Sequence, residues 1–125
     1  MIILDYKDRR PLYEQVVDKF ADLILKGVLQ PDEKMPSVRN LAMELAINPN
    51  TIQRAYGELE KKGYIYSVKG RGNFVSDSRE LFLEKQEEIR KRLKNDFLEA
   101  KGHGLEKRDI FEILTSVYEG GEKDD

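Results

Sequence analysis

Cysteine is absent from the 125 residues and histidine occurs once, at His103. Counting alone therefore excludes disulfides, thiolate nucleophiles, cysteine zinc sites and paired-histidine metal sites. Long apolar runs are missing too. The longest purely apolar stretches run only a few residues, so nothing reads as a membrane span, and Met1 to Arg10 carries acids where a signal peptide needs a basic and then an apolar run. The expected location is the cytoplasm. The length suits one main folding unit with a small appendage and rules out a large two-lobed enzyme. Apolar residues make up 39% and charged residues 37%, with a mean hydropathy of -0.65, as amphipathic helices with long solvated faces require.

The net charge of -2 hides an uneven distribution. Residues 1–76 carry 12 basic and 10 acidic side chains, and residues 77–125 carry 10 and 14. Within Lys34 to Gly72 there are 7 basic residues against 3 acidic ones. That window is the electrostatic candidate for nucleic acid.

Leu12, Val16, Val17, Phe20, Leu23 and Ile24 recur at helical spacing between Pro11 and Gly27, which predicts a first amphipathic helix. Val28 to Lys34 reads as a turn. Ser37 is placed to cap a short second helix carrying Val38, Leu41, Ala42 and Leu45. Asn48-Pro49 then starts a third helix, since proline's fixed φ suits the first helical position, and Gly63 ends it near Lys62. Tyr64 to Val68 and Asn73 to Ser76 are rich in strand formers and flank Lys69-Gly70-Arg71-Gly72, which predicts a hairpin with a glycine-rich tip. After Asp77-Ser78 comes a long, charged helix of about 20 residues with Phe82, Ile89, Leu93, Phe97 and Ala100 in one stripe. Gly102-His103-Gly104 breaks it. A last helix from about Glu106 to Tyr118 offers Ile110, Ile113, Leu114 and Val117, and Gly120 to Asp125 reads as a frayed acidic tail.

Helix, helix, tight turn, helix and hairpin is the order of a winged helix-turn-helix. The expected fold is mainly α with a small β-hairpin: a DNA-binding domain over 1–76 and a two-helix dimerisation segment over 77–125. At about 100° per residue, Ile52, Ala55, Tyr56 and Leu59 cluster on one side of the third helix, with Asn50, Arg54, Gly57 and Lys61 almost opposite. Asparagine can pair with adenine and arginine with guanine, glycine admits close backbone approach, and lysine meets phosphate. Thr51 and Gln53 flank that face. Each has a plainer reading: Asn48, Thr51 and Gln53 can cap the helix, Arg39 can solvate the second helix, and Lys61 and Lys62 can pair with Glu58 and Glu60. The combination with a wing tip presenting Lys69 and Arg71 between glycines favours DNA, because an arginine there can enter a minor groove or lie along phosphates.

Pro11 to Gln15, Pro36 to Ala42, Asn48 to Tyr56, Leu59 to Gly63 and Gly70 to Val75 closely resemble the GntR family of bacterial transcription regulators, over residues 11–76. The 49 residues that follow are too few for the metabolite-binding or aminotransferase-like domain of the large members. The short tail and the Asn-Pro-Asn-Thr turn are similar to the small YtrA subfamily, which implies a link to ABC-transporter operons. The resemblance carries the DNA-contacting pattern onto Arg39, Asn48, Asn50, Thr51, Gln53 and Arg54, and onto Lys69, Gly70 and Arg71 in the wing. Many larger relatives have arginine where this chain has Pro49, so one of their contacts is absent and their operators do not transfer. Ala46 replaces the glycine common at this turn, which its small size makes tolerable.

A homodimer on a palindromic double-stranded operator follows from the need to double the base contacts. Phe82, Ile89, Leu93 and Phe97 on one helix, and Ile110, Leu114 and Val117 on the other, are the candidate interface, unless they only cover the winged domain. An unidentified small-molecule effector would act by preferring one dimer geometry. Phe97, Phe111 and Tyr118 could line its pocket, although aromatics at this spacing more often fill a core. The expected function is a DNA-binding repressor without cofactor, metal or membrane partner. The alternative is a winged-helix protein-interaction module. An enzymatic reading lacks support: Gly70-Arg71-Gly72 has no further nucleotide-loop pattern and no nucleophile and base are paired.

Overall fold

The computed structural model describes residues 2–120. Their order is α1 (Leu12–Leu25), α2 (Val38–Leu45), α3 (Pro49–Lys61), β1 (Ile65–Val68), β2 (Gly72–Val75), α4 (Arg79–Gly102) and α5 (Lys107–Tyr118). This is the mainly helical fold with a small antiparallel hairpin that the sequence predicts. Beyond Gly120 the expected acidic tail lies outside the described residues. The chain forms two compact units that divide between Leu83 and Glu84, inside α4. The sequence-based domain boundary at Ser76 precedes that helix.

In the first unit the apolar stripe of α1 meets α3. Val16, Phe20 and Ile24 are buried together with Leu41 and Ala42 of α2 and Ile52, Ala55, Tyr56 and Leu59 of α3. Ala42 is buried where α2 and α3 pack. Phe20 and Tyr56 meet edge to face with centroids 6.0 Å apart, a preferred aromatic geometry. Ile65 and Val75, opposite one another in the hairpin register, close the core below.

Two features depart from the sequence reading. The segment read as a turn over 28–34 ends in a short edge that pairs with β2: Val75 N–H donates to Glu33 O at 2.9 Å, and Asp32 N–H and Met35 N–H donate to Val75 O and Asn73 O at 2.7 and 2.8 Å. The hairpin thus has a third edge, too short and too proline-flanked to show as alternation. The second departure is Ala46, which adopts φ +56°, ψ +45°. Glycine is favoured at such a turn for its access to this left-handed region, so small size is not what makes alanine acceptable there.

The second unit is built differently. α4 runs through Gly102, His103 N–H bonds Glu99 O at 3.1 Å, and the chain turns at Gly104 with φ +91°. Glu106 and Asp109 then form a reciprocal capping box that starts α5. No residue of α4 or α5 is buried.

Candidate nucleic-acid interface

The turn between α2 and α3 is fixed by caps at both helix starts. Ser37 Oγ accepts from Asn40 N–H at 3.0 Å, and Asn48 Oδ1 accepts from Asn50 N–H at 2.8 Å. Pro49 follows Asn48 as the first residue of α3, where its missing N–H costs nothing. Capping uses one lone pair of the Asn48 oxygen and leaves its NH₂ to donate elsewhere. Tyr56 anchors α3 to the start of α2, its hydroxyl donating to Pro36 O at 2.7 Å. Burial pushes the Tyr56 phenol well above its ordinary pKa.

With one side of α3 buried, Asn50, Gln53, Arg54, Gly57 and Lys61 are exposed and Thr51 is half-buried. A Cβ at Gly57 would meet no atom within 4 Å, so packing does not require a glycine there. Arg39, the second residue of α2, is also exposed.

The wing follows directly. Gly70 and Gly72 take φ of +79° and +114°, values that leave glycine the natural residue at both, and Arg71 N–H closes the tip on Val68 O at 2.9 Å. Lys69 and Arg71 are exposed on either side of Gly70. The single Ser67 hydroxyl proton has two acceptors in reach, Asn73 Oδ1 across the hairpin at 2.8 Å and Glu60 Oε1 of α3 at 3.2 Å. Tyr66 stacks on Phe74 with centroids 5.7 Å apart and donates to Asp32 Oδ1 at 2.7 Å, a bond that raises the Tyr66 pKa. Lys34, on the third edge, pairs with Phe74 and approaches Gly72. A basic side chain at the wing base thus joins the two at its tip, which a reading of 28–34 as a turn misses.

A second feature hidden in the sequence links α1 to α3. The Arg54 guanidinium lies over the Tyr13 ring, 3.8 Å from its centroid. The spacing of 41 residues between them carries no signal of this contact. Arg10, by contrast, is committed to Asp8 and Asp18. The bonds to Arg10 hold the Asp8 carboxyl below the usual carboxylate range.

Residues 12–75 match the family model of bacterial regulatory proteins, gntR family. The chain is 36% identical to the HTH-type transcriptional repressor YtrA of Bacillus subtilis over 100% of both chains. It belongs to the GntR family. Among solved structures, a transcriptional regulator from Oenococcus oeni is 30% identical, covers 94% of this chain with 96% of its own, and superposes with a TM-score of 0.76. AraR(DBD), solved in complex with operator ORE1, is 34% identical and superposes with a TM-score of 0.52, covering 59% of this chain and 90% of its own.

As a GntR-family member the chain is a transcription regulator of a DNA-binding family and not an enzyme. Among its described residues no cluster of three or more His, Cys, Asp or Glu is arranged to hold a metal, and no helix is long and apolar enough to cross a membrane. The seven apolar residues singled out in the second half of the sequence divide between the units. Phe82 lies in the first at 44% exposure. In the second, Leu93, Phe97, Leu114 and Val117 are exposed and Ile89 and Ile110 half-buried. A groove of about 480 Å³ between the end of α4 and the start of α5 is lined by Phe97, Lys101, Leu105, Glu106, Lys107 and Ile110. Of the trio Phe97, Phe111 and Tyr118, only Phe97 lines it, and none of the three is core in the single chain. His103 sits in the turn, its Nδ1 3.0 Å from Glu99 O.

Proposed function

We propose that this chain is a homodimeric transcriptional repressor that binds an inverted-repeat operator. α3 enters the major groove, with Asn50, Gln53 and Arg54 along its exposed side and Gly57 at the closest backbone approach. Thr51, Arg39 and the free NH₂ of Asn48 meet the DNA at the start of α2 and α3. Lys69, the Gly70 backbone and Arg71 meet it at the wing tip.

The observation that carries the reading is the exposed face of α3. It is small, polar and basic, with an unpacked glycine in its middle, beside a basic tip held to the same helix through Ser67 and Glu60. Dimerisation is supported by α4 and α5, in which no residue is fully buried although they carry Leu93, Phe97, Leu114 and Val117. A second copy would cover Phe82, Ile89 and Ile110 along with these four. The full-length similarity to a repressor supports repression, and the resemblance to its subfamily extends this to a transporter operon. An effector would act by favouring one spacing of the two wings.

Selection from a random duplex pool at physiological salt, with sedimentation of the same sample, tests the reading. Enrichment of an inverted repeat by a dimer is the expected result. A folded dimer that enriches no sequence would move the protein-interaction reading to first place.

A further inference from the structure

The packing of α1 on α3 brings Tyr13 and Arg54 together. Arg54 is exposed and forms no ion pair with a carboxylate of the described residues. Its guanidinium nevertheless lies 3.8 Å from the ring centroid of Tyr13, a partly buried α1 side chain packed against the core. A cation centred over a ring at that distance is held by its π face, and none of the hydrogen bonds or ion pairs among the described residues engages the Arg54 N–H donors. An exposed arginine ordinarily samples many rotamers, so a ring that holds it removes ordering cost from any bond the donors make.

We propose that Tyr13 and Arg54 form a composite phosphate clamp, in which the ring holds the guanidinium at the α1 edge of α3 for a backbone phosphate and not for a base edge. The proposal rests on the reading that α3 enters the major groove. An arginine that reads guanine must reach outward from the helix, whereas this one is drawn back onto α1. Side chains at the margin of a helix seated in the groove meet its walls, which are phosphates. The planar guanidinium fork matches phosphate oxygens, and its weak hydration lowers the cost of that pairing. A cleft of about 200 Å³ beside the pair is lined by Glu14, Asp18 and Glu58 with Lys62. Its acids repel an anion, so the phosphate arrives from the solvent side. Base reading on α3 is left to Asn50 and Gln53, and Tyr13 is a positioning residue.

The test measures binding to a fluorescent duplex carrying the inverted repeat selected from the pool, and to the same duplex scrambled, across a range of KCl concentrations. Thermal melts accompany every variant. Arg54→Ala is expected to weaken both duplexes by the same factor and to flatten the plot of log affinity against log salt by ~0.9 for each phosphate it leaves unneutralised. Tyr13→Phe keeps the ring and should match the unmodified chain. Tyr13→Leu should weaken both duplexes about two- to fivefold per protomer, and the double variant should bind no more weakly than Arg54→Ala alone. Because Tyr13→Leu can disturb the core, Arg54→Lys is the second arm: it keeps the charge and the salt slope but loses the planar stack, and should bind both duplexes more weakly.

Loss of discrimination between the duplexes in Arg54→Ala, with the salt slope intact, would make Arg54 a base reader and overturn the clamp. Unmodified affinity in Arg54→Lys, or in a folded Tyr13→Leu, would remove the ring from the mechanism, and weakened binding in Tyr13→Phe would assign the role to the hydroxyl. A clamp that fails while the unmodified chain still prefers the inverted repeat leaves the repressor reading standing. An unmodified chain that binds neither duplex overturns both.

Discussion

Replacing Gly57 with alanine separates what folding wants from what DNA binding wants. Gly57 is exposed within α3, where glycine is ~0.8–1 kcal/mol less favourable than alanine. An added Cβ would meet nothing within 4 Å, so the free protein should gain most of that difference. For a domain of this size each kcal/mol moves the melting temperature by about 4–8 °C, and the expected gain is ~3–8 °C. Tyrosine near-UV circular dichroism follows the winged unit, because Tyr6, Tyr13, Tyr56, Tyr64 and Tyr66 all lie in it. In the complex the same methyl would stand between the helix and the sugar-phosphate backbone. Overpacking of that kind costs ~1–3 kcal/mol, read as weaker binding of the selected duplex. Greater stability with unchanged affinity would refute the idea that this glycine serves close approach. Absence of any stability gain would refute the helix-propensity argument itself.

Arg71→Ala should weaken binding and reduce its salt slope by ~0.9 for each phosphate left unneutralised, with the fold unchanged in thermal melts. Tyr56→Phe removes the part-buried bond to Pro36 O and should cost ~0.5–1.5 kcal/mol in urea unfolding, the net worth of a typical intramolecular hydrogen bond. Because burial raises the Tyr56 pKa in the folded chain, its neutral phenol stabilises fully below the unfolded value of 10.0 and progressively less as pH rises above it. The phenylalanine variant should therefore show a shallower alkaline loss of stability. Ala46→Gly should stabilise by ~0.5–1 kcal/mol, because the relieved left-handed strain exceeds the added chain entropy; a lower denaturation midpoint would contradict this. Leu93→Asp should give monomers in sedimentation while the winged unit keeps its tyrosine signal, and persistent dimers would put the interface elsewhere.

Most of the winged unit was legible because its signals are local. Ser37 and Asn48 announce caps, Pro49 a helix start, and Gly63 a helix end, and each is found in that role. What escaped has no local signature. Gln15 reads as an ordinary polar member of an amphipathic helix, yet it is buried and pairs with the Asp5 backbone through both ends of its amide, at 2.9 and 3.0 Å. The wing's third edge and the stack of Arg54 on Tyr13 likewise depend on chain segments far apart in sequence. At the candidate interface, helical spacing gave the side of α3 that stays exposed. It gave nothing about Arg54 turning back onto α1, because a rotamer is chosen by its tertiary neighbours.

The third edge of the wing also bears on how such regulators can be rebuilt. Since Asp32, Glu33 and Met35 are hydrogen-bonded to β2, the wing is not a cassette that begins at Tyr64 and ends at Ser76. A chimera that transplants only that stretch would carry a two-stranded ribbon without its third side, and a lone hairpin is marginal in water. The exchangeable part is the tip, Lys69 to Arg71, which is closed by the Arg71 N–H bond to Val68 O. Diversification of the proposed wing contact would concentrate there, while residues 32–35 and β2 would have to change together.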